Sequence, residues 1–184
     1  GQKAFPETEY VELYNTTDKA IELNGWSFLY GSKPTVLTAL LLDADGYVVL
    51  YRSGRDIHID DAGLDLPLDK FPASLVNTGK ELALFDPSGK EFDRIAYEKA
   101  KVGIAWERSE TGFHLSTDER GGTPGSANSS PDDEPEDPDR PDTPHKPGIP
   151  TDIIVLPNEI VFNELLPNPY PEGSEYIELY NRSD

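Results

Sequence analysis

The chain has 184 residues, 36% of them hydrophobic, which is enough to bury one core but short for two complete domains of ordinary size. Its 35 acidic residues stand against 16 basic ones, a net charge of -19, so long-range repulsion opposes binding to nucleic acids and anionic membranes. The absence of cysteine excludes disulfides, thiolate nucleophiles and cysteine-ligated zinc, and no run of about 18 or more apolar residues predicts a membrane span.

The apolar stretches are short, rich in β-branched and aromatic residues, and bounded by Gly, Pro, Asn or Asp. No stretch carries a helical repeat. Because an antiparallel sheet with one solvated face needs a second layer over its other face, we expect an all-β sandwich or barrel. The pattern predicts strands at residues 9–14, 26–30, 47–51, 81–85, 92–97 and 104–108.

Two turns punctuate the predicted strands. Residues 43–46, Asp-Ala-Asp-Gly, predict a turn that leads into the strand at 47–51. Residues 86–89, Asp-Pro-Ser-Gly, predict a hairpin, since Pro presets φ at the second turn position and Gly closes the turn. The first turn also resembles part of a calcium loop, but the terminal bidentate Glu of an EF-hand loop is missing, so a turn is favoured.

The composition changes abruptly after residue 128. Residues 129–150 hold many prolines and carboxylates and almost no apolar side chains, which predicts an extended, acidic, Pro-rich linker. The acidic cluster at 132–142 is a candidate calcium ligand set, although carboxylates on a flexible chain lack the fixed geometry that such sites need.

Apolar residues return at 153–156 and 160–162, and an internal repeat follows them. Residues 171–184 repeat the sequence pattern of residues 6–18. We therefore expect two successive domains, the second one truncated, in a piece of a longer protein.

Several sequence phrases belong together: Glu-Leu-Tyr-Asn at 12–15 and 178–181, Leu-Asn-Gly-Trp-Ser-Phe at 23–28, Leu-Val-Asn-Thr-Gly-Lys-Glu-Leu-Ala-Leu at 75–84, Thr-Pro-Gly-Ser-Ala-Asn at 123–128 and Asn-Glu-Leu-Leu-Pro-Asn-Pro at 163–169. These phrases resemble the lamin tail domain family, and those within residues 9–128 occur in the family's order. Each phrase alone would be a weak signal. The resemblance implies an immunoglobulin-like antiparallel β-sandwich, found at the end of nuclear lamins and as repeats in secreted or surface bacterial proteins.

The family's opening phrase is the one seen here at 163–169. The first copy lacks it, because residues 1–5 carry no counterpart. The interpretation is a sandwich at 1–128 without its first strand, the linker at 129–150, and the opening strands of a second repeat at 151–184. We hypothesise that residues 160–166 fill the vacant position, in their own molecule or a neighbour's, since an unfilled sheet exposes backbone groups and an apolar face. The alternative is that residues 151–184 pack on the outside. Exchange between molecules would give a strand-swapped homodimer through Ile160, Val161, Phe162 and Leu165.

Candidate reactive groups are few and scattered. His58, His114 and His145 lie far apart without an accompanying serine or carboxylate motif, so a hydrolytic triad is not supported. His58 with Asp60 supplies too few donors for zinc. Glu9 and Glu12 lie three positions apart on a predicted strand, so they point to opposite faces and cannot form a catalytic pair.

Other candidates also favour structural roles. Glu12 recurs as Glu178, which suits a structural hydrogen bond. Residues 121–125 lack the Lys and the helix of a phosphate loop, and they fit a turn that closes the domain. Trp26 and Trp106 are candidate sugar-stacking platforms, although the Gly-Trp phrase favours a core position for Trp26. The sequence therefore predicts no catalytic, cofactor-binding or metal-binding residue.

These observations predict a non-catalytic binding or scaffolding module of a secreted or cell-surface repeat protein, with a protein, glycan or matrix partner. The extracellular location is implied by the resemblance and by the Pro-rich spacer. An accessory domain that positions a nuclease or glycan hydrolase is the alternative. No nucleic-acid partner and no membrane insertion is expected, although the likeness to nuclear lamins leaves DNA or chromatin binding open. The predicted contact surface is the loops at 31–37 and 53–72.

Overall fold

The computed structural model describes residues 8–55, 57, 59, 63–110, 112–130, 160–167 and 169. This part of the chain contains strands and turns, and no helix in it could cross a membrane. The strands are β1 (Tyr10–Asn15), β2 (Ile21–Glu22), β3 (Ser27–Tyr30), β4 (Lys33–Val36), β5 (Leu41–Leu42), β6 (Tyr47–Arg52), β7 (Leu64–Leu68), β8 (Lys80–Phe85), β9 (Glu91–Tyr97), β10 (Trp106–Ser109), β11 (Gly112–Leu115) and β12 (Ile160–Leu166).

Two sheets form an immunoglobulin-like β-sandwich. The larger sheet has the strand order β11-β10-β12-β1-β6-β7 and the smaller sheet the order β4-β3-β8-β9, while β2 and β5 form a separate short pair. Neighbouring strands are antiparallel except β6 and β7, which run parallel at one edge of the larger sheet. The antiparallel expectation therefore holds for every other pair among the described strands.

Alternation along the strands builds the core. In β1, Val11 and Leu13 join the main cluster between the sheets, whereas Tyr10 joins a second cluster with Val49 of β6. Since successive side chains of a strand point to opposite faces, this second cluster lies on the outer face of the larger sheet. That sheet is consequently buried on both faces near β1. Each fully buried aliphatic or aromatic side chain contributes about 1.5–3 kcal/mol.

The six predicted strands are confirmed within two residues at each end, as β1, β3, β6, β8, β9 and β10. The predicted loops at 31–37 and 53–72 are partly wrong, because β4 and β7 lie inside them. Pro34 and Pro67 interrupt the run of strand-forming residues, so the sequence pattern did not predict these two strands. Both strands are edges of their sheets, where a residue without an N–H donor is tolerated.

The two predicted turns are confirmed. Gly46 N donates to Asp43 O at 3.1 Å, with Asp45 in the left-handed region at φ 53°. In the hairpin between β8 and β9, Gly89 N donates to Asp86 O at 3.0 Å, and the Asp86 carboxylate accepts from Ser88 N at 2.8 Å. The hydrogen bonds that the Asp86 carboxylate accepts lower its pKa, and the bond from the Ser88 hydroxyl has the largest effect.

Gly79 lies in the 75–84 phrase at φ +96°, and a Cβ there would lie 2.6 Å from the carbonyl oxygen of Tyr97. We expect Gly79→Ala to lower the free energy of unfolding, measured in urea, by at least about 2 kcal/mol, because steric overlap adds to backbone strain. Gly89→Ala is the matched control, since Gly89 has φ +84° with open space around its Cβ position. Equal losses in the two variants would contradict the steric explanation.

β12 lies in the interior of the larger sheet. It pairs with β1 from Tyr10↔Leu166 to Asn15↔Ile160, with a register shift at Asn163, and with β10 at Trp106↔Leu165 and Glu107↔Glu164. All seven of its residues are buried. Residues 160–166 thus pair with β1 of their own chain in this structure. Its interpretation as the opening strand of a second repeat stays a prediction, because the repeated residues 171–184 lie outside the described part.

Candidate functional site

The position between β1 and β10, here called the strand slot, is apolar on its inner side. Ile160, Phe162 and Leu165 of β12 belong to the main core cluster. The Phe162 ring meets the Phe28 ring of the smaller sheet edge-on, with centroids 6.4 Å apart and an interplanar angle of 87°. β12 therefore connects the two sheets through the core as well as extending one of them.

An ion pair holds the backbone of β12 where its ladder with β10 ends. Asp93 Oδ2, on β9 of the smaller sheet, accepts from Phe162 N at 2.9 Å. Arg108 Nη2 lies 2.5 Å from the same oxygen, and Arg108 Nε donates to Phe162 O at 2.6 Å. Both backbone groups of Phe162 are thus satisfied by side chains, which a buried strand requires.

Three carboxyl groups meet on the outer side of the slot. Glu12 of β1, Glu164 of β12 and Glu107 of β10 stand directly opposite one another on adjacent strands, and all three are fully buried. Like charges in this position repel each other, and a buried carboxylate is costly unless donors surround it. We call these residues the carboxyl cluster.

The segment at 121–130 covers the carboxyl cluster and supplies backbone donors to it. Gly125 N donates to Glu12 Oε2 at 2.5 Å, and Ser129 N donates to Glu107 Oε2 at 2.9 Å. The Ser129 hydroxyl donates to the same Glu107 oxygen. Asn163 of β12 completes the set by donating to Glu12 Oε1 at 2.7 Å.

A pair of amide side chains connects the covering segment to β12. Asn128 Nδ2 donates to Asn163 Oδ1 at 3.0 Å, and Asn163 Nδ2 donates to Asn128 Oδ1 at 2.9 Å. Asn128 Nδ2 also lies 2.9 Å from Arg108 O, at the end of the β10–β12 ladder. The covering segment is therefore attached to both β10 and β12.

Glu164 is the central member of the carboxyl cluster. Its carboxyl group accepts from the Tyr10 hydroxyl and from Thr123 N, which lies 3.0 and 3.1 Å from its two oxygens. Burial raises the pKa of Glu164 well above its ordinary value, and the charges of Glu12 and Glu107 raise it further. Burial, assisted by the charge of Glu164, likewise raises the pKa of Tyr10.

Gly122 explains the Gly-Gly pair at 121–122. A Cβ on Gly122 would overlap Glu164 Oε1, and would lie 2.8 Å from the Tyr10 hydroxyl oxygen and 3.2 Å from Ala105 Cβ. The covering backbone can approach the carboxyl cluster this closely only without a side chain. The sequence-based interpretation of residues 121–125 as a domain-closing turn agrees with this packing.

The structure brings together three phrases that are distant in the sequence. Glu12 comes from the phrase at 12–15, Asn163 and Glu164 from the phrase at 163–169, and the covering donors from the phrase at 123–128. The structural hydrogen-bond role expected of Glu12 matches its contacts. Glu107 and the role of Glu164 were not predicted. The available signal was a Glu next to an apolar residue, since Glu12 follows Val11, Glu107 follows Trp106 and Glu164 precedes Leu165.

The other candidates do not converge on a site. Trp26 is buried and its ring meets the Phe92 ring edge-on at 4.9 Å, whereas Trp106 is half-buried against the main core. Glu9 Oε1 accepts from Leu75 N at 3.0 Å, away from Glu12. Among the residues that the structure describes, no group of three or more His, Asp or Glu side chains is placed to hold a metal ion.

Of the three histidines, His114 lies on β11 opposite Glu107. His58 and His145 lie outside the described residues, as do Asp60 and the acidic cluster at 132–142. The prediction that the histidines form no triad therefore stays a prediction.

Comparison with known families agrees with the fold. The model of the Lamin Tail Domain family matches residues 1–99, which is more than half of the chain and contains β1 to β9. No curated protein sequence matches the chain. The matched region holds the phrases at 12–15, 23–28 and 75–84, whereas the covering segment and β12 lie beyond it. The chain belongs to the lamin tail domain family.

Proposed function

We propose that this chain is a non-catalytic scaffolding module of a multidomain repeat protein, in which a downstream strand completes the sandwich of the preceding domain. The observation that carries the proposal is the position of β12, which lies between β1 and β10 with all seven residues buried. The family itself is a non-enzymatic, immunoglobulin-like one. Strand addition supplies backbone hydrogen bonds for affinity and side-chain pockets for specificity.

The linker allows donation within a molecule or between molecules. Residues 131–159 separate the covering segment from β12, and a chain of that length could span at most on the order of 100 Å, at roughly 3.3 Å per residue. Exchange between two molecules would place Ile160, Val161, Phe162 and Leu165 in a neighbour's slot without a new interface. At high concentration we therefore propose a strand-swapped homodimer.

We further propose that the module works outside the cell or on its surface and contacts a protein, glycan or matrix partner. The net charge of -19 and the acidic spacer support a soluble, extended array and oppose an anionic polymer as partner. The predicted contact surface at 31–37 and 53–72 includes the edge strands β4 and β7, where Val36 and Leu64 are 57% and 39% exposed. Exposed edges suit an extended protein segment as the partner. The accessory-domain alternative stays a prediction.

Two truncations test strand completion. We expect removal of residues 151–184, which deletes β12, to lower the melting temperature by at least about 10 °C or to make the protein insoluble. Removal of residues 170–184 alone retains β12 and should leave the melting temperature nearly unchanged. An identical melting temperature, solubility and oligomeric state for both truncations would contradict the proposal. Sedimentation at increasing concentration then separates donation within one chain from exchange between two chains.

A further inference from the structure

We propose that the strand slot binds β12 together with one proton, carried on the carboxyl group of Glu164. The slot would thus select an extended Asn-Glu strand whose glutamic acid is neutral. This inference rests on the proposed strand completion and specifies which chemical form of the strand the slot accepts.

The number of hydrogens available around the Thr123 hydroxyl indicates that one of the neighbouring carboxyl groups is protonated. The Thr123 hydroxyl oxygen lies 3.1 Å from Glu107 Oε1 and 3.1 Å from Glu164 Oε2, at hydrogen-bonding distance from both. A hydroxyl has one hydrogen to donate. If both carboxyl groups were ionised, one of the two contacts of the Thr123 oxygen would therefore have no hydrogen between its oxygens. A proton on either carboxyl group satisfies both contacts, since that group then donates to the Thr123 oxygen.

The central position of Glu164, more than its donors, assigns this proton to it. Glu107 receives the backbone N–H and the hydroxyl of Ser129, and Glu12 receives Gly125 N and the amide of Asn163. Glu164 has the Tyr10 hydroxyl and one backbone N–H, shared by its two oxygens. It also stands between the other two carboxyl groups in the sheet. Protonation of Glu164 removes both repulsions at once.

Within the part of the chain that the structure describes, the groups that face Glu164 supply no positive charge. From β1 these are Tyr10 and Glu12, and from β10 Glu107. The covering segment contributes Gly122 and Thr123, which are uncharged. The arrangement therefore favours the neutral form of the acid.

The proton gives a pH dependence with a definite sign. Above the unfolded-state pKa of 4.5, the unfolded chain has lost the proton that the folded chain still binds. The stabilisation is therefore complete below pH 4.5 and is lost as the pH rises through the folded-state pKa of Glu164. One proton changes the unfolding equilibrium constant by up to tenfold per pH unit.

Urea unfolding of the whole chain between pH 5 and 8 tests this, with Glu164→Gln as the variant. A glutamine keeps an acceptor for Tyr10 and offers an N–H to Thr123, so it imitates the neutral acid at every pH. We expect the unfolding constant of the wild type to rise by up to tenfold per pH unit relative to that of Glu164→Gln. Glu98→Gln, at an exposed position directly after β9, is the control and should follow the wild type. Parallel curves for the wild type and Glu164→Gln would overturn the inference.

A second measurement remains decisive if Glu164→Gln does not fold. Carbon-13 NMR titration of the wild-type glutamate carboxyls should show one that stays protonated well above the pH range in which the others titrate, whereas titration of all of them in one common range would overturn the inference. Backbone amide exchange of Ile160–Leu166 separates the two proposals. If the amides are protected but no glutamate carboxyl is neutral, the proton proposal is refuted and strand completion stands. If the amides are unprotected at both pH 5 and pH 8, strand completion itself is refuted.

Discussion

Phe162→Ala is expected to lower the free energy of unfolding by about 3–5 kcal/mol, because it deletes a fully buried aromatic ring and leaves a cavity. The ring contacts Phe28 of the opposite sheet, so the cavity would open between the two layers. A loss of this size is a large part of the 5–15 kcal/mol that stabilises a typical domain. Urea unfolding followed by tryptophan fluorescence measures it.

The same substitution separates strand completion from external packing. If residues 160–166 only rested on the outside of a stable sandwich, truncating Phe162 would have a small effect. Val36→Ala is the control, since Val36 is 57% exposed on an edge strand and its truncation should change stability by less than about 0.5 kcal/mol. A Phe162→Ala value within the range of that control would contradict the position of β12.

Asp93→Ala is expected to cost about 2–4 kcal/mol. It removes the acceptor of Phe162 N and the partner of Arg108, and the breaking of a buried pair leaves the remaining groups uncompensated. We place the value below the usual cost of a fully buried pair, because the Arg108 side chain is 31% exposed and can regain water. Urea unfolding measures the loss.

Glu91→Ala provides the comparison on the same strand. Glu91 pairs with Arg94 at the surface, where both side chains are at least 40% exposed, so its removal should change stability little. The double variant Asp93→Ala with Arg108→Ala should lose less than the sum of the single losses, because both act on Phe162. Additive losses would show that the two side chains do not hold β12 together.

The fold was largely predictable from local signals. Alternation located six strands, and the Asp-Pro-Ser-Gly turn fixed the β8–β9 hairpin, because these features depend on neighbouring residues. β4 and β7 escaped prediction since Pro34 and Pro67 interrupt the pattern. Their strand character comes from pairing with β3 and β6, which a local pattern does not contain.

The carboxyl cluster was less predictable for the same reason. Glu12 lies between Val11 and Leu13, so its side chain is predicted to point away from the core. In an antiparallel sheet a side chain on that face usually contacts water. The covering segment arrives from more than 100 positions away and buries this outer face. Only the repetition of the Glu in the family phrases indicated its role, and Glu107 belongs to no such phrase.

The family phrases gain a physical explanation from the carboxyl cluster. The Thr-Pro-Gly phrase at 123–125 provides Thr123 N and Gly125 N to carboxyl groups of the phrases at 163–169 and 12–15. The beginning and end of the domain are thus joined by hydrogen bonds to buried acids, which would leave costly unsatisfied groups if either were missing. A domain without its opening strand would lack Glu164 and Asn163 together.

Amide hydrogen exchange of the intact chain, followed residue by residue by NMR, tests the position of β12 most directly. The account predicts that the amides of Ile160–Leu166 are protected to a degree similar to those of Tyr10–Asn15, with which they pair. Exchange of Ile160–Leu166 at the rate of an unstructured peptide, while Tyr10–Asn15 stay protected, would contradict it.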